Sequence, residues 1–359
     1  MNSFSTLLGG LIDMFNTLFG GKQPVAPGGS SAVTPVSGTT PAAQPVQPLP
    51  GQPANPEPAT IVSPRVLVIV IDPVIDAAAG TKLAQHMGWS RPEDLISGFT
   101  ADLLQLSGGL ARYQIVSRIE SNEFPVKQDG FRYTADAYLS VLKGTTPAHA
   151  PDAINYQDFL ARNNILQLVS SNQIDEVWAF GFPYAGFYES TMGGYGAFFC
   201  NSQPLPNTAT CPRRFVVMGF SYERGVGEML HSFGHRVESI LQQVYSRAAA
   251  DVNLWQRYIR YDQKFPGLAE VGTVHFAPNS LRDYDYANTR IVQSRCDDWF
   301  NFPNFKGIVK PVNNTEWGGG DILGYSKWWF NHLPKVGGRT NGIANNWWQY
   351  IMDPNRVTV

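Results

Sequence analysis

Charge is scarce in this chain. Only 16% of its 359 residues are Asp, Glu, Lys or Arg, the formal net charge is -2, and Lys and Arg form no long run. A nucleic-acid binder concentrates basic residues into a stripe, so this composition argues against that class. No stretch reaches the ~18 consecutive apolar residues that a membrane-crossing helix needs. Three cysteines are too few for a disulfide-stapled scaffold. Cys200 and Cys211 flank a Pro-containing turn, a spacing that suits either one local disulfide or two separate thiols. Cys296 has no partner nearby and reads as a packed thiol. The glycine runs at 193–194 and 318–320 lack the strand–turn–helix setting of a phosphate loop, and no Gly-x-Ser-x-Gly elbow occurs. Nucleotide binding and serine acyl transfer therefore have no signal.

Aromatic residues, glycine and proline are abundant: 9 Trp, 15 Tyr and 21 Phe stand beside 34 Gly and 26 Pro, and 43% of the chain is hydrophobic. That balance describes a loop-rich, aromatic-packed body. It suits an extracellular or cell-surface protein, although the N-terminus lacks the basic residues of a standard signal peptide.

Residues 1–21 place Phe4, Leu8, Leu11, Phe15 and Leu18 on one stripe, with Asn2, Ser5, Asp13, Asn16 and Thr17 opposite. The spacing predicts a short amphipathic helix. Its polar face carries no basic residue, so self-association or a protein partner is expected rather than a membrane surface. Residues 22–64 hold 11 of the 26 prolines, no aromatic residue, and only Lys22 and Glu57 as charges. Such a stretch buries too little to offset chain entropy and reads as a disordered, Pro-rich tether.

The body starts at residue 65. The run 65–72 is continuously β-branched and apolar, as in a strand buried on both faces. Strands are also expected at 111–119, 175–183 and 213–220, with helices at 92–106, 133–142, 156–169 and 223–247. Alternation of this kind predicts an α/β body whose mainly parallel sheet is covered by helices over 65–250. After residue 251 short apolar pieces alternate with Gly, Pro and Asn, which predicts an irregular, aromatic-rich C-terminal lobe over 251–359. Paired Trp there reads as that lobe's own core, with sugar-stacking platforms as the alternative.

The most informative run is the helix at 222–245. At ~100° per residue, Glu228, His231, His235 and Glu238 fall within an arc of roughly 80°. Val226, Met229, Phe233, Val237, Ile240 and Val244 gather opposite and are expected to face the sheet. Two His at i and i+4 can reach one tetrahedral metal. Glu228 and Glu238, one turn to either side, are candidates for a ligand, an imidazole orienter or a general base. The same residues also make ordinary i,i+3 and i,i+4 pairs on a solvated face. His275, in the loop-like string VHFAPNS, is the candidate third ligand. Glu189, after the strand at 175–183 and among Tyr184, Tyr188 and Tyr195, is the other candidate acid or base. Asp283 and Asp285 are spaced as in some calcium-binding loops, but the full twelve-residue pattern with its terminal Glu is absent and they read as turn formers.

A strand leading into a His-x-x-x-His helix, after a sheet and before an irregular lobe, resembles the zincin metallopeptidase layout. The resemblance covers roughly 65–250, but its specific motif is this helix alone. It implies a zinc-dependent hydrolase acting on protein or peptide, with His231, His235, Glu238 and His275 as ligand candidates and Glu228 or Glu189 as the catalytic carboxylate. One position departs from the family pattern: where zincins have His-Glu-x-x-His, Ser232 follows His231. The strings at 175–178, 188–190, 274–280 and 296–299 also resemble a set of uncharacterised bacterial secreted proteins. Two rival readings remain: a non-catalytic surface or assembly protein docking through residues 1–21, and a carbohydrate-active enzyme or binder.

Overall fold

In the computed structural model, residues 57–358 are described. The expected amphipathic helix at 1–21 and most of the Pro-rich segment lie outside them.

The core sheet has five strands: Arg65–Ile71 (β1), Gln114–Ser121 (β4), Glu176–Gly181 (β5), Ser190–Gly193 (β6) and Phe215–Ser221 (β7). The short strands Val74–Asp76 (β2) and Thr81–Lys82 (β3) form a separate antiparallel pair. In the main sheet the order is β4-β1-β5-β7-β6. The first four strands run parallel, and β6 lies antiparallel to β7 at one edge. The architecture is therefore mixed α/β with a mostly parallel sheet. β1 and β5 are buried almost throughout, which is why their sequences read as unbroken apolar runs. β4, the other edge, is largely exposed.

Helices fall close to their expected positions at Pro92–Leu106, Ala135–Leu142 and Val226–Val244. The expected helix over 156–169 is two helices, Tyr156–Arg162 and Ile165–Ser170, because Asn164 adopts a left-handed conformation (φ 52°) between them. Strand β6 had no sequence signal, being four residues long and followed at once by glycines.

Val226–Val244 is buried on more than its sheet-facing side. Met229, Leu230, Phe233, Val237, Ile240 and Leu241 are all in the core, whereas Val226 and Val244 are only half-buried. Its rotation is fixed by a charge: Arg236, fully buried, places Nη1 2.6 Å from Glu176 Oε1 on β5 and donates through Nη2 to the Ile351 carbonyl. Removing one partner of such a pair strands the other charge, at a cost of about 3–5 kcal/mol. With Arg236 turned inward, His231 and His235 are turned toward the 274–284 segment.

Residues from 251 onward share one core with the sheet. Trp255, Tyr258, Trp299, Trp329 and Trp347 pack edge to face around one another. Trp317, Trp329, Trp347 and Trp348 are buried and offer no open stacking face. Cys200, Cys211 and Cys296 are free and buried. Cys200 Sγ contacts Ser190 Oγ and Cys211 Sγ contacts the Arg213 carbonyl, so of the two readings of this pair the separate thiols hold.

Residues 57–64 belong to the body rather than to a tether. Val62 donates to the Leu110 carbonyl and accepts from Arg112, Pro64 accepts from Gln114, and the Thr60 carbonyl accepts from Asn346. Backbone pairing holds what side-chain burial alone does not. Among the described residues no helix is long and apolar enough to cross a membrane.

Candidate metal centre

Three imidazoles converge where the Val226–Val244 helix meets the 273–286 segment. His235 Nε2 lies 3.1 Å from His231 Nε2 and 3.0 Å from His275 Nε2. His231 and His275 are 5% and 8% exposed, so the rings meet in a largely buried place.

The segment carrying His275 is clamped at successive residues. Tyr325 Oη donates to the Thr273 carbonyl, and Tyr286 Oη to that of Val274. The Val274 amide donates to Glu238 Oε1, and the Tyr284 amide to the His275 carbonyl. Close approach needs Gly234, where a Cβ would meet Val274 Cγ2 at 2.7 Å.

Hydrogen-bond accounting shows what the cluster can accept. His235 Nδ1 lies 3.1 Å from Glu238 Oε2, and His275 Nδ1 lies 2.8 Å from Asp283 Oδ1. A carboxylate only accepts, so both δ nitrogens carry protons, and a ring whose one proton sits there turns an Nε2 lone pair toward the cluster. Two such lone pairs 3.0 Å apart repel unless something positive lies between them. One proton would bridge one pair, whereas a metal ion satisfies all three rings at once. Ligand nitrogens around a tetrahedral metal with ~2.0–2.1 Å bonds stand about 3.3 Å apart, close to what is seen. His231, His235 and His275 could thus hold a metal ion. The carboxylates behind two of them fix the tautomer, as ligand-supporting residues do.

Electrostatics set His231 apart from His235. Burial pushes the His231 pKa well down, and His235, His275 and Arg224 push it further, so that ring is neutral. Burial also opposes protonation of His235, but Glu238, Glu189 and Asp283 outweigh it and the net shift is upward. Burial would raise the Glu238 pKa, yet His235 and the Val274 amide hold it down, so the carboxylate stays ionised.

Not every candidate takes its expected place. Glu238 stands behind His235 rather than among the ligand atoms, because its two oxygens are taken by His235 Nδ1 and the Val274 amide. Glu228 reaches back to accept from the Gly225 amide at 3.2 Å, capping its own helix. Ser232 is buried. A carboxylate also stands on the Nε2 side of the cluster, that of Glu189, whose Oε2 lies 3.8 Å from His235 Nε2. Asn201 Nδ2 donates to the same oxygen at 2.8 Å and orients it. Glu189 comes this close because Gly219 on β7 leaves room for the neighbouring backbone. A Cβ there would meet the Tyr188 carbonyl oxygen at 2.4 Å, and the Gly219 amide donates to the Glu189 carbonyl.

Two further residues had no signal as site members. Asp283 fell in a string that reads as a turn, which is the role Asp285 does play by accepting from Leu281 and Asn288. Tyr284 sits in the left-handed region (φ 54°), costly for a bulky residue, and puts Oη 3.4 Å from His231 Nε2 and 3.1 Å from His275 Nε2. Burial, with Glu189 and Asp283 adding, raises its pKa, so it remains a neutral donor. Tyr284, Glu189 and Asp283 are partly exposed and border the buried rings.

No family model matches the chain, and neither a curated protein nor a solved structure matches it.

Proposed function

We propose that the protein is a zinc-dependent hydrolase of the metallopeptidase type. The observation that carries this reading is the convergence of three imidazole Nε2 atoms with a free-edged carboxylate, Glu189, beside them. Three neutral nitrogen donors suit zinc, and catalytic zinc sites keep three protein ligands with one position open. The His-bearing helix directly after β7 also supports the zincin-like reading.

His231, His235 and His275 would hold the ion, Glu238 and Asp283 would orient two of the rings, and bound zinc supplies Lewis acidity. Glu189 takes the role that Ser232 leaves open on the helix. Its carboxylate accepts a proton from water in the cleft and returns it to the leaving nitrogen. Tyr284 Oη donates to the oxygen on which negative charge develops. Asn201 holds Glu189 in position throughout. The catalytic carboxylate thus comes from the loop before β6 rather than from the helix or the C-terminal region.

Glu189→Gln is the decisive variant, tested on zinc-loaded protein with denatured casein as substrate. It should retain one zinc at the three imidazoles and lose about 10²–10⁴-fold in turnover. Glu228→Gln should leave turnover within a few-fold. Zinc-loaded protein that cleaves no polypeptide, or cleavage that survives Glu189→Gln, would overturn the reading.

A further inference from the structure

A second ligand-like cluster lies away from the three imidazoles. It is built from the 3-10 helix Cys296–Asn301, the short strand Lys310–Val312, and the residue that ends the helix Ile322–Asn331. Cys296 Sγ, a carboxylate oxygen of Asp297 and a ring nitrogen of His332 all lie within 4.8 Å of one another.

His332 is the informative member. It is 3% exposed and sandwiched between Trp328 and Phe300, with ring centroids 4.4 and 4.5 Å away. Its Nδ1 lies 2.7 Å from the Trp328 carbonyl oxygen. A carbonyl only accepts, so Nδ1 carries a proton, and a ring with its one proton there presents an Nε2 lone pair. That buried Nε2 has no hydrogen-bond partner, although Asp297 Oδ1 stands 3.5 Å away. Cys296 Sγ is 3.6 Å from the same oxygen. On the far side Lys310 Nζ is 3.1 Å from Asp297 Oδ2 and 2.5 Å from Glu316 Oε2. The ammonium therefore occupies one carboxylate oxygen and leaves the other to face the imidazole and the thiol.

We propose that Cys296, Asp297 and His332 form a second metal site, for a thiophilic divalent cation of the zinc class. A sulfur, a nitrogen and a carboxylate oxygen, with the imidazole tautomer set by a backbone carbonyl, are a ligand set such cations take. Asp297 is the partly exposed member, so solvent can complete the coordination from its side. Binding exchanges the thiol proton for the metal and releases that proton to water. The ion would tie the 296–301 turn to the end of the 322–331 helix, a structural role independent of hydrolysis.

Cobalt titration of the metal-free full chain separates this site from the other. Only a thiolate ligand produces a sulfur-to-cobalt charge-transfer band in the near ultraviolet, and the three-imidazole site has none. The expected result is two equivalents of cobalt with the band present. His231→Ala should lose one equivalent and keep the band. Cys296→Ser should abolish the band, whereas Cys200→Ser and Cys211→Ser should retain it. If Cys296→Ser fails to fold, His332→Gln provides the check, shifting the band to higher cobalt concentration. A wild-type protein without the band, or a band unchanged in Cys296→Ser or His332→Gln, would overturn the proposal whatever the outcome at the hydrolytic site.

Discussion

Glu238 Oε2 stands 3.1 Å from His235 Nδ1, and this contact decides which nitrogen of His235 faces the other two imidazoles. A residue expected to bind metal instead sets the tautomer of one that could hold it. Because its other oxygen accepts from Val274, it also ties the helix to the segment carrying His275.

Glu238→Gln therefore tests support rather than ligation. The amide can accept from His235 Nδ1 but carries no charge, so zinc affinity should fall by roughly 10–100-fold without loss of the site. His235→Ala should abolish stoichiometric binding at the three imidazoles. Competition against a chromogenic chelator measures both. Equal losses in the two variants would make Glu238 a direct ligand.

Tyr284→Phe removes the hydroxyl beside His231 and His275 while keeping the ring that packs there. Turnover should drop by about 10²–10³-fold, the usual cost of losing one donor to a developing oxyanion. Zinc content, read by elemental analysis, should remain at its wild-type value. Loss of metal along with activity would instead place the phenol among the ligands.

Acid sensitivity should have a defined contributor. Partial burial tends to raise the Asp175 pKa, but hydrogen bonds from Arg65 and Arg213 hold it down at about 2. An unfolded Asp titrates near ~3.9. The folded value is the lower one, so this group's stabilisation is complete above about pH 4 and is lost as pH falls from there through 2. Asp175→Asn should be less stable than wild type at pH 6, with the difference shrinking between pH 4 and pH 2. Urea unfolding at several pH values gives the comparison, and a constant difference would contradict it.

Truncation locates the boundary of the body. A chain beginning at residue 57 should unfold like the full-length protein. One beginning at residue 65 loses the hydrogen bonds of Thr60, Val62 and Pro64, at a cost of about 2–6 kcal/mol if each contributes the usual ~0.5–1.5. Equal midpoints in urea would show that residues 57–64 add nothing.

Much of this protein follows from periodicity. Apolar runs alternating with helical spacing determine the α/β class, since buried parallel strands must be apolar on both faces. A repeat of 3.6 residues puts His231, His235 and Glu238 on one stripe whatever surrounds the helix. Sequence position also made His275 and Glu189 candidates, but only as residues on loops. Tertiary structure alone brought them to the helix, because the approach depends on two glycines: Gly234 leaves room for the Val274 side chain and Gly219 for the Tyr188 backbone. The roles of the carboxylates were settled at the same level. Glu228 and Glu238 look equivalent along the helix, yet one caps Gly225 and the other binds His235 and Val274, because each oxygen pairs with the donor that folding places nearest. Asp283 and Tyr284 had no periodic signal at all. They join the site through the clamped turn at 273–286, whose shape comes from contacts with Tyr286 and Tyr325 that no local pattern encodes.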